Sequence, residues 1–234
     1  MSAIKARIGI VRFPGSNCDQ DCFSALTRHF GIEPQIIWHT ESSLPKIDGL
    51  IIPGGFSYGD YLRSGALASH SAIMREVKSF TARGGPVIGI CNGFQILTES
   101  ALLPGTLLRN IGRKFVCKYV GLRGQSGATI IHRNLAGKLV KLPVAHGQGR
   151  YFCSPDTLRE LKDNGQVVVR YTGLDGIDSE VSNFNGSADS IAGICSKNGR
   201  VFGLMPHPER ATDRLTGGSN DGLLFFHSFL EQCA

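Results

Sequence analysis

Cys91 stands at the centre of Gly89-Ile90-Cys91-Asn92-Gly93, and a thiol between two glycines suggests nucleophilic chemistry. The apolar run 86–90 reads as a short buried strand, and Phe94-Gln95-Ile96-Leu97 reads as the start of a helix. A strand, a glycine-flanked nucleophile and a helix make a nucleophile elbow, with cysteine in the place more often held by serine. The positive end of the helix would favour a thiolate. A free cysteine is also a good small hydrophobe, so Cys91 alone does not decide the matter. A base is offered by Met205-Pro206-His207-Pro208-Glu209-Arg210. On an extended segment His207 and Glu209 share one side, and the flanking prolines stiffen it. Glu209 would then hold one ring nitrogen of His207 and leave the other for the thiol. Taken alone, the same residues suit a surface turn. Gly54-Gly55, closing another apolar run, offers backbone N–H groups for an oxyanion, as does the N–H of Asn92. His146, within Val144-Ala145-His146-Gly147-Gln148-Gly149, ends a further strand-like run.

These residues need a scaffold that brings strand ends together. The segment 7–13 is β-like, and a helix is expected over 19–30, with Cys22, Phe23, Leu26 and Phe30 on one face and Gly31 closing it. Gln35 to Trp38 and 50–52 read as short strands. Ile73, Val77 and Phe80 mark a helix that ends at Gly84-Gly85. This alternation predicts an α/β fold with a mostly parallel, doubly wound sheet, in which ligands lie beyond the carboxyl ends of the strands. The second half looks different. The segments 114–122, 128–132 and 138–144 read as antiparallel-compatible strands, and 191–196 and 201–205 flank the hairpin signal Asn198-Gly199. A last helix carries Leu223, Phe226 and Leu230. No linker-like break or repeat divides the 234 residues, so one domain over 1–234 is expected.

Seven cysteines without framework spacing point to a reducing, cytoplasmic setting. Lys5, Arg7 and Arg12 interrupt any leader-like apolar run, and no stretch reaches membrane-spanning length. The net charge of +6 is concentrated in residues 100–155, which hold no Asp or Glu but include Arg109, Arg113, Lys114, Lys118, Arg123, Arg133, Lys138, Lys141 and Arg150. Such a stretch suits an acidic partner, phosphates or simple solvation. Interleaved exposed aromatics and a nucleic-acid-binding motif are both lacking, so no nucleic-acid partner is expected. No phosphate-binding Gly-x-x-x-x-Gly-Lys loop is present. Cys18 and Cys22 share a helix face without a second ligand pair, so no metal site is expected.

Taken together, the segments resemble the class I, triad-type glutamine amidotransferase family. The segments are Pro14-Gly15-Ser16-Asn17-Cys18-Asp19, the loop running from Gly54-Gly55-Phe56-Ser57-Tyr58-Gly59-Asp60 to Arg63, the Cys91 elbow through Gln95, and Pro206-His207-Pro208-Glu209-Arg210. Within that family they look most like the glutaminase subunits of phosphoribosylformylglycinamidine synthases, because of the Gly-Phe-Ser-Tyr-Gly-Asp loop and the Asn after the cysteine. The resemblance runs collinearly from about Arg7 to the last helix. It implies Cys91 as nucleophile, His207 as general acid/base and Glu209 as its orienter. It further implies Gly55 and Asn92 as oxyanion donors, and Gln95, His146 and Gly147 as substrate-holding residues for glutamine. It also implies a large synthase subunit and a small bridging subunit as partners. ATP and magnesium would be bound by the synthase, with no cofactor in this chain. Gln148 departs from the Glu common in the family, and the acid-free stretch is unusual. A glutaminase for a different synthase, or a redox-sensing thiol protein on the same fold, are the competing readings.

Overall fold

Five consecutive strands of one nine-stranded sheet run parallel, and their register brings the predicted chemistry together. In the computed structural model, which describes residues 5–179 and 181–234, the chain runs β1 (Ile8–Arg12), α1 (Asp19–Phe30), β2 (Gln35–Trp38), β3 (Gly49–Ile52), α2 (Ala66–Ser69), α3 (Ala72–Ala82), β4 (Val87–Ile90) and α4 (Asn92–Glu99). It continues through β5 (Thr106–Leu108), β6 (Val116–Gly124), α5 (Ile130–Leu135), β7 (Leu139–His146), β8 (Arg150–Phe152), α6 (Pro155–Asp163) and β9 (Val167–Thr172). The last elements are β10 (Ile191–Cys195), β11 (Val201–Leu204), α7 (Arg214–Gly217) and α8 (Leu223–Gln232). The strand order is β2-β1-β3-β4-β11-β10-β9-β6-β7, with β5 and β8 forming a separate two-stranded antiparallel sheet. Pairing is parallel from β2 to β11 and antiparallel from β11 to β7.

β3 and β4 are buried at every residue, as apolar strands covered on both faces must be. Ile52 pairs with Gly89, and Leu204 pairs with Ile90. The segments that leave β3, β4 and β11 therefore emerge side by side at one edge. α1 begins with Asp19 and Asp21 and ends with Arg28 and His29, matching the helix dipole at both ends. Gly31 closes it at φ 64°, with its N–H on the carbonyl of Thr27. One continuous apolar core joins residues from Ile8 to Leu230.

One expected strand is corrected. Residues 128–132 do not extend: Thr129 precedes α5 in a β conformation, and Ile130–Leu135 is helical. The β-branched run at 129–131 suggests a strand. The decisive pattern is Ile131 and Leu135, four residues apart and both buried, with His132 beside them donating from Nε2 to the carbonyl of Val167, 3.1 Å away. β9 and α6 lie outside the expected elements. Ser154 caps α6 by accepting from the Thr157 N–H, with Pro155 in the first turn.

Candidate active site

Cys91 lies at the turn from β4 to α4 with φ 50° and ψ −105°, a conformation that costs a side-chain-bearing residue about 1–3 kcal/mol. The flanking glycines are needed for contact reasons. A Cβ on Gly89 would stand 2.7 Å from the carbonyl oxygen of Gly93, and one on Gly93 only 1.9 Å from that of Ile52. The turn is locked by the Cys91 N–H donating to Leu204 O at 2.8 Å and by the Gln95 N–H donating to Cys91 O at 3.1 Å. The thiol lies 3.9 Å from the carbonyl of Ala145, so the end of β7 forms one wall.

His207 follows β11, held by its N–H on the carbonyl of Pro143 at 2.9 Å. Its Nδ1 is 2.6 Å from Glu209 Oε1, and both side chains are almost wholly buried. The predicted neighbours are therefore in contact, but by a different route from the extended segment expected. Pro208–Arg210 is a single 3-10 turn that swings Glu209 back beneath the ring. Nε2 has no hydrogen-bond partner among the described residues, which leaves it for the Cys91 thiol. Burial opposes charge on His207. The Glu209 carboxylate and the Cys91 and Cys18 sulfurs outweigh it and hold its pKa well above the usual 6.5.

Gly54 lies flush against this ring, since a Cβ there would be 2.9 Å from His207 Cε1. Gly55 has φ 143°, and its Cβ would meet the carbonyl of Gly15 at 2.7 Å. This turn is tied to the elbow by the Ser57 N–H, which donates to Asn92 Oδ1 at 3.2 Å. Neither the Gly55 nor the Asn92 N–H has an acceptor among the described residues. Both are free to serve an oxyanion.

The residues expected to hold the substrate are placed less directly. Gln95 is 4% exposed, and its side chain is committed to the protein: Oε1 accepts from Asn92 Nδ2 at 2.9 Å, and Nε2 donates to the carbonyl of Gln148 at 2.6 Å. It braces the loop after β7. The brace uses the backbone of Gln148, so an amide in place of a carboxylate side chain there leaves it intact. Gly147 lies within that loop, where a Cβ would stand 3.8 Å from the Phe115 ring. His146 is buried beside Asn110, which sequence reasoning did not single out because an isolated Asn carries no local signal. Asn110 Nδ2 donates to the carbonyls of His146 and Lys114, so its Oδ1 is the acceptor for the Gly149 N–H and for His146 Nδ1, each 3.1 Å away. That fixes the proton of His146 on Nδ1 and leaves Nε2 a bare, buried acceptor. Burial, with the charge on His207, lowers the His146 pKa to about 3, so the ring is neutral.

Phe56 and Phe115, 44% and 55% exposed with ring centres 6.4 Å apart, stand at the rim with the exposed Ile111, Arg113 and Lys114. Part of the acid-free stretch therefore borders the site.

Comparison with known proteins agrees with this geometry. Residues 5–220 match the family model of the CobB/CobQ-like glutamine amidotransferase domain. The phosphoribosylformylglycinamidine synthase subunit PurQ of Chlorobaculum parvum is 50% identical over 97% of this chain and 90% of its own length. A PurQ subunit of Thermus thermophilus is 50% identical over 97% of this chain and 99% of its own length. The solved structure of PurLQS from Thermotoga maritima superposes with a TM-score of 0.85 at 41% identity, covering 97% of this chain and 99% of that one. A cysteine elbow faces a buried His–Glu pair, on a chain half identical to PurQ proteins almost end to end. These findings place it in one family: the chain belongs to the glutamine amidotransferases, among the PurQ subunits of phosphoribosylformylglycinamidine synthase.

Proposed function

We propose that this chain, acting as one amidotransferase domain over residues 1–234, is the glutaminase subunit of a phosphoribosylformylglycinamidine synthase. It would release ammonia from glutamine for use by a synthase partner. The observation that carries the reading is the strained Cys91 elbow beside the buried His207–Glu209 pair, whose Nδ1 to Oε1 distance is 2.6 Å. With the proton of the Cys91–His207 pair on the ring, the sulfur attacks the side-chain carboxamide carbon of glutamine. The oxygen becomes an oxyanion facing the N–H groups of Gly55 and Asn92. Carboxamides are weak electrophiles, and one such donor is worth on the order of 10²–10³ in rate. His207 gives its proton to the leaving nitrogen, and ammonia departs as the γ-glutamyl thioester forms. The neutral ring then takes a proton from water, whose oxygen attacks the thioester. Collapse releases glutamate and returns thiolate and imidazolium. Gly147 and the bare Nε2 of His146 complete the substrate side, with Gln95 holding their loop in place.

Free ammonia would be protonated and lost in water, so a glutaminase needs a receiving subunit. The structural relative is an assembly, PurLQS, which supports a large synthase subunit and a small bridging subunit as partners. Conversion of formylglycinamide ribonucleotide to formylglycinamidine ribonucleotide would then take place on the synthase. ATP and magnesium belong to that step in this reading, with no cofactor in this chain. The seven cysteines are all free, which suits a cytoplasmic enzyme. Among the described residues no helix is long and apolar enough to cross a membrane. The relatives at 50% identity favour this synthase over another. A thiol sensor would need neither the His207–Glu209 pair nor free N–H groups beside the sulfur. The test is glutamate release by the chain alone and with synthase subunits, formylglycinamide ribonucleotide and ATP. Activity that rises on assembly and is lost in Cys91→Ala supports the reading, and glutamate release that survives the substitution overturns it.

A further inference from the structure

Cys18 takes no part in the chemistry above, yet it lies against the reaction centre. It precedes α1, is 2% exposed, and its Sγ is 3.9 Å from His207 Nδ1. Two contacts fix that sulfur and a third fixes its backbone. Its thiol hydrogen is directed at Asn17 Oδ1, 3.3 Å away, Arg210 Nη2 donates to it at 3.2 Å, and the Cys18 N–H donates to the carbonyl of Gly54 at 3.3 Å. Arg210 is held in turn by Asp21 Oδ2 at 3.1 Å, one turn along α1. A Cβ on Gly54 would be 3.1 Å from the sulfur and 2.9 Å from His207 Cε1, so glycine, sulfur and ring are in close contact. One residue thus joins the oxyanion turn, the imidazole and the guanidinium.

Building on the assignment of His207 as acid/base, we propose that Cys18 is a positioning residue. Its sulfur, fixed by Arg210 and Asn17, seals the Nδ1 edge of the imidazole so that the Nδ1 proton is shared with Glu209 and kept from solvent. A thiol suits this task. It is large enough to fill the space and too weak an acceptor to compete with a carboxylate 2.6 Å from the same nitrogen. Burial raises the Cys18 pKa, with His207 opposing, so the group stays a neutral thiol. Alanine would leave the contacts of Arg210 and Asn17 with the sulfur unmade and remove the sulfur from the ring edge. The sulfur, His207 and Glu209 also place three donor atoms within 4.8 Å of one another. A cation there would have to displace the Glu209 hydrogen bond and face the Arg210 guanidinium, which argues for the positioning role instead.

The groups facing His207 are Glu209 and Arg210 from its own turn, Cys91 from the elbow, Cys18 from the start of α1 and neutral His146 from β7. Cys18 favours the protonated ring. Removing it should therefore make His207 lose its proton at lower pH. The experiment measures kcat/KM for glutamine against pH in the assembled complex, for wild type, Cys18→Ala and Cys18→Ser, together with the pH dependence of Cys91 alkylation by iodoacetamide. Alanine should move the alkaline limb down by roughly half a pH unit, with the alkylation profile following and KM unchanged. Serine, which keeps an acceptor for Arg210, should recover part of the shift. Profiles of both variants superimposed on wild type overturn the proposal whatever happens to kcat or Tm, since packing alone would lower those without moving the limb. If alanine does not fold, the serine variant decides by the same criterion: a limb shifted downward supports the role and a superimposed one refutes it. Absence of Cys91-dependent turnover in wild type would instead be a failure of the glutaminase reading. The alkylation profile needs no glutamine and tests Cys18 in either case.

Discussion

Replacing Glu209 by Gln removes a charge while nearly preserving shape, so it isolates what the carboxylate does for His207. The 2.6 Å contact between Nδ1 and Oε1 corresponds to a Coulomb attraction of ~6 kcal/mol between unit charges at an effective dielectric constant of about 20. Part of that is offset by the cost of keeping the carboxylate buried, leaving about 3 kcal/mol for stabilising the imidazolium. Lost from the transition state, it corresponds to roughly a 10²-fold fall in glutaminase kcat/KM. A second effect adds to it. The Gln amide can turn its NH₂ toward Nδ1, forcing the proton onto Nε2 and leaving the ring unable to serve the thiol. The assay is glutamate release from glutamine by the assembled complex across pH, beside equilibrium unfolding of the same proteins. Stability gives an independent sign. The folded-state pKa of His207 is raised above 6.5, so its contribution is fully present below that value and lost as pH rises through the folded-state pKa. Wild type should lose stability relative to Glu209→Gln across that window. A variant within about threefold of wild type, with the same pH profile, would refute the reasoning.

Three further perturbations follow from the geometry. Gly93→Ala places a Cβ 1.9 Å from the carbonyl of Ile52; the elbow must move, and kcat measured by glutamate release should fall by about 10²-fold or more. Asn110→Ala removes the buried contacts that hold His146, Lys114 and Gly149; a loss of about 2–4 kcal/mol in urea unfolding and a raised KM for glutamine are expected. Phe115→Asp puts a charge on the exposed apolar rim beside Phe56; affinity for the synthase subunits, measured by calorimetry, should drop at least ~10-fold while the isolated chain keeps its melting temperature.

Much of the site was legible because its residues are local in sequence. A strand, glycines at contact-limited positions and a helix define the Cys91 elbow within one short segment, and a His two residues from a Glu suggests a pair. The pair forms through a 3-10 turn that brings Glu209 under His207, and not through an extended segment. Long-range contacts were hidden. Nothing near Asn110 hints that it will meet a loop 36 residues away, and Cys18 meets a histidine 189 residues along the chain. The resemblance implies that Gln95 holds glutamine, and the position of its side chain is set by Asn92 and by the Gln148 backbone, neither of which is legible from local sequence. In the fold, residues 128–132 read as a strand because β-branched residues cluster at 129–131, where tertiary burial of Ile131 and Leu135 makes 130–135 helical instead.

The central claim is that the Cys91 sulfur becomes acylated by glutamine. Intact-mass analysis of the complex, quenched in acid during turnover of glutamine, tests it most directly. The account predicts a fraction of the chain heavier by one γ-glutamyl group, mapped to the peptide containing Cys91, labile to hydroxylamine and missing in Cys91→Ser. Turnover of glutamine with no adduct on Cys91, under conditions where Cys91→Ser turns over equally well, would contradict it.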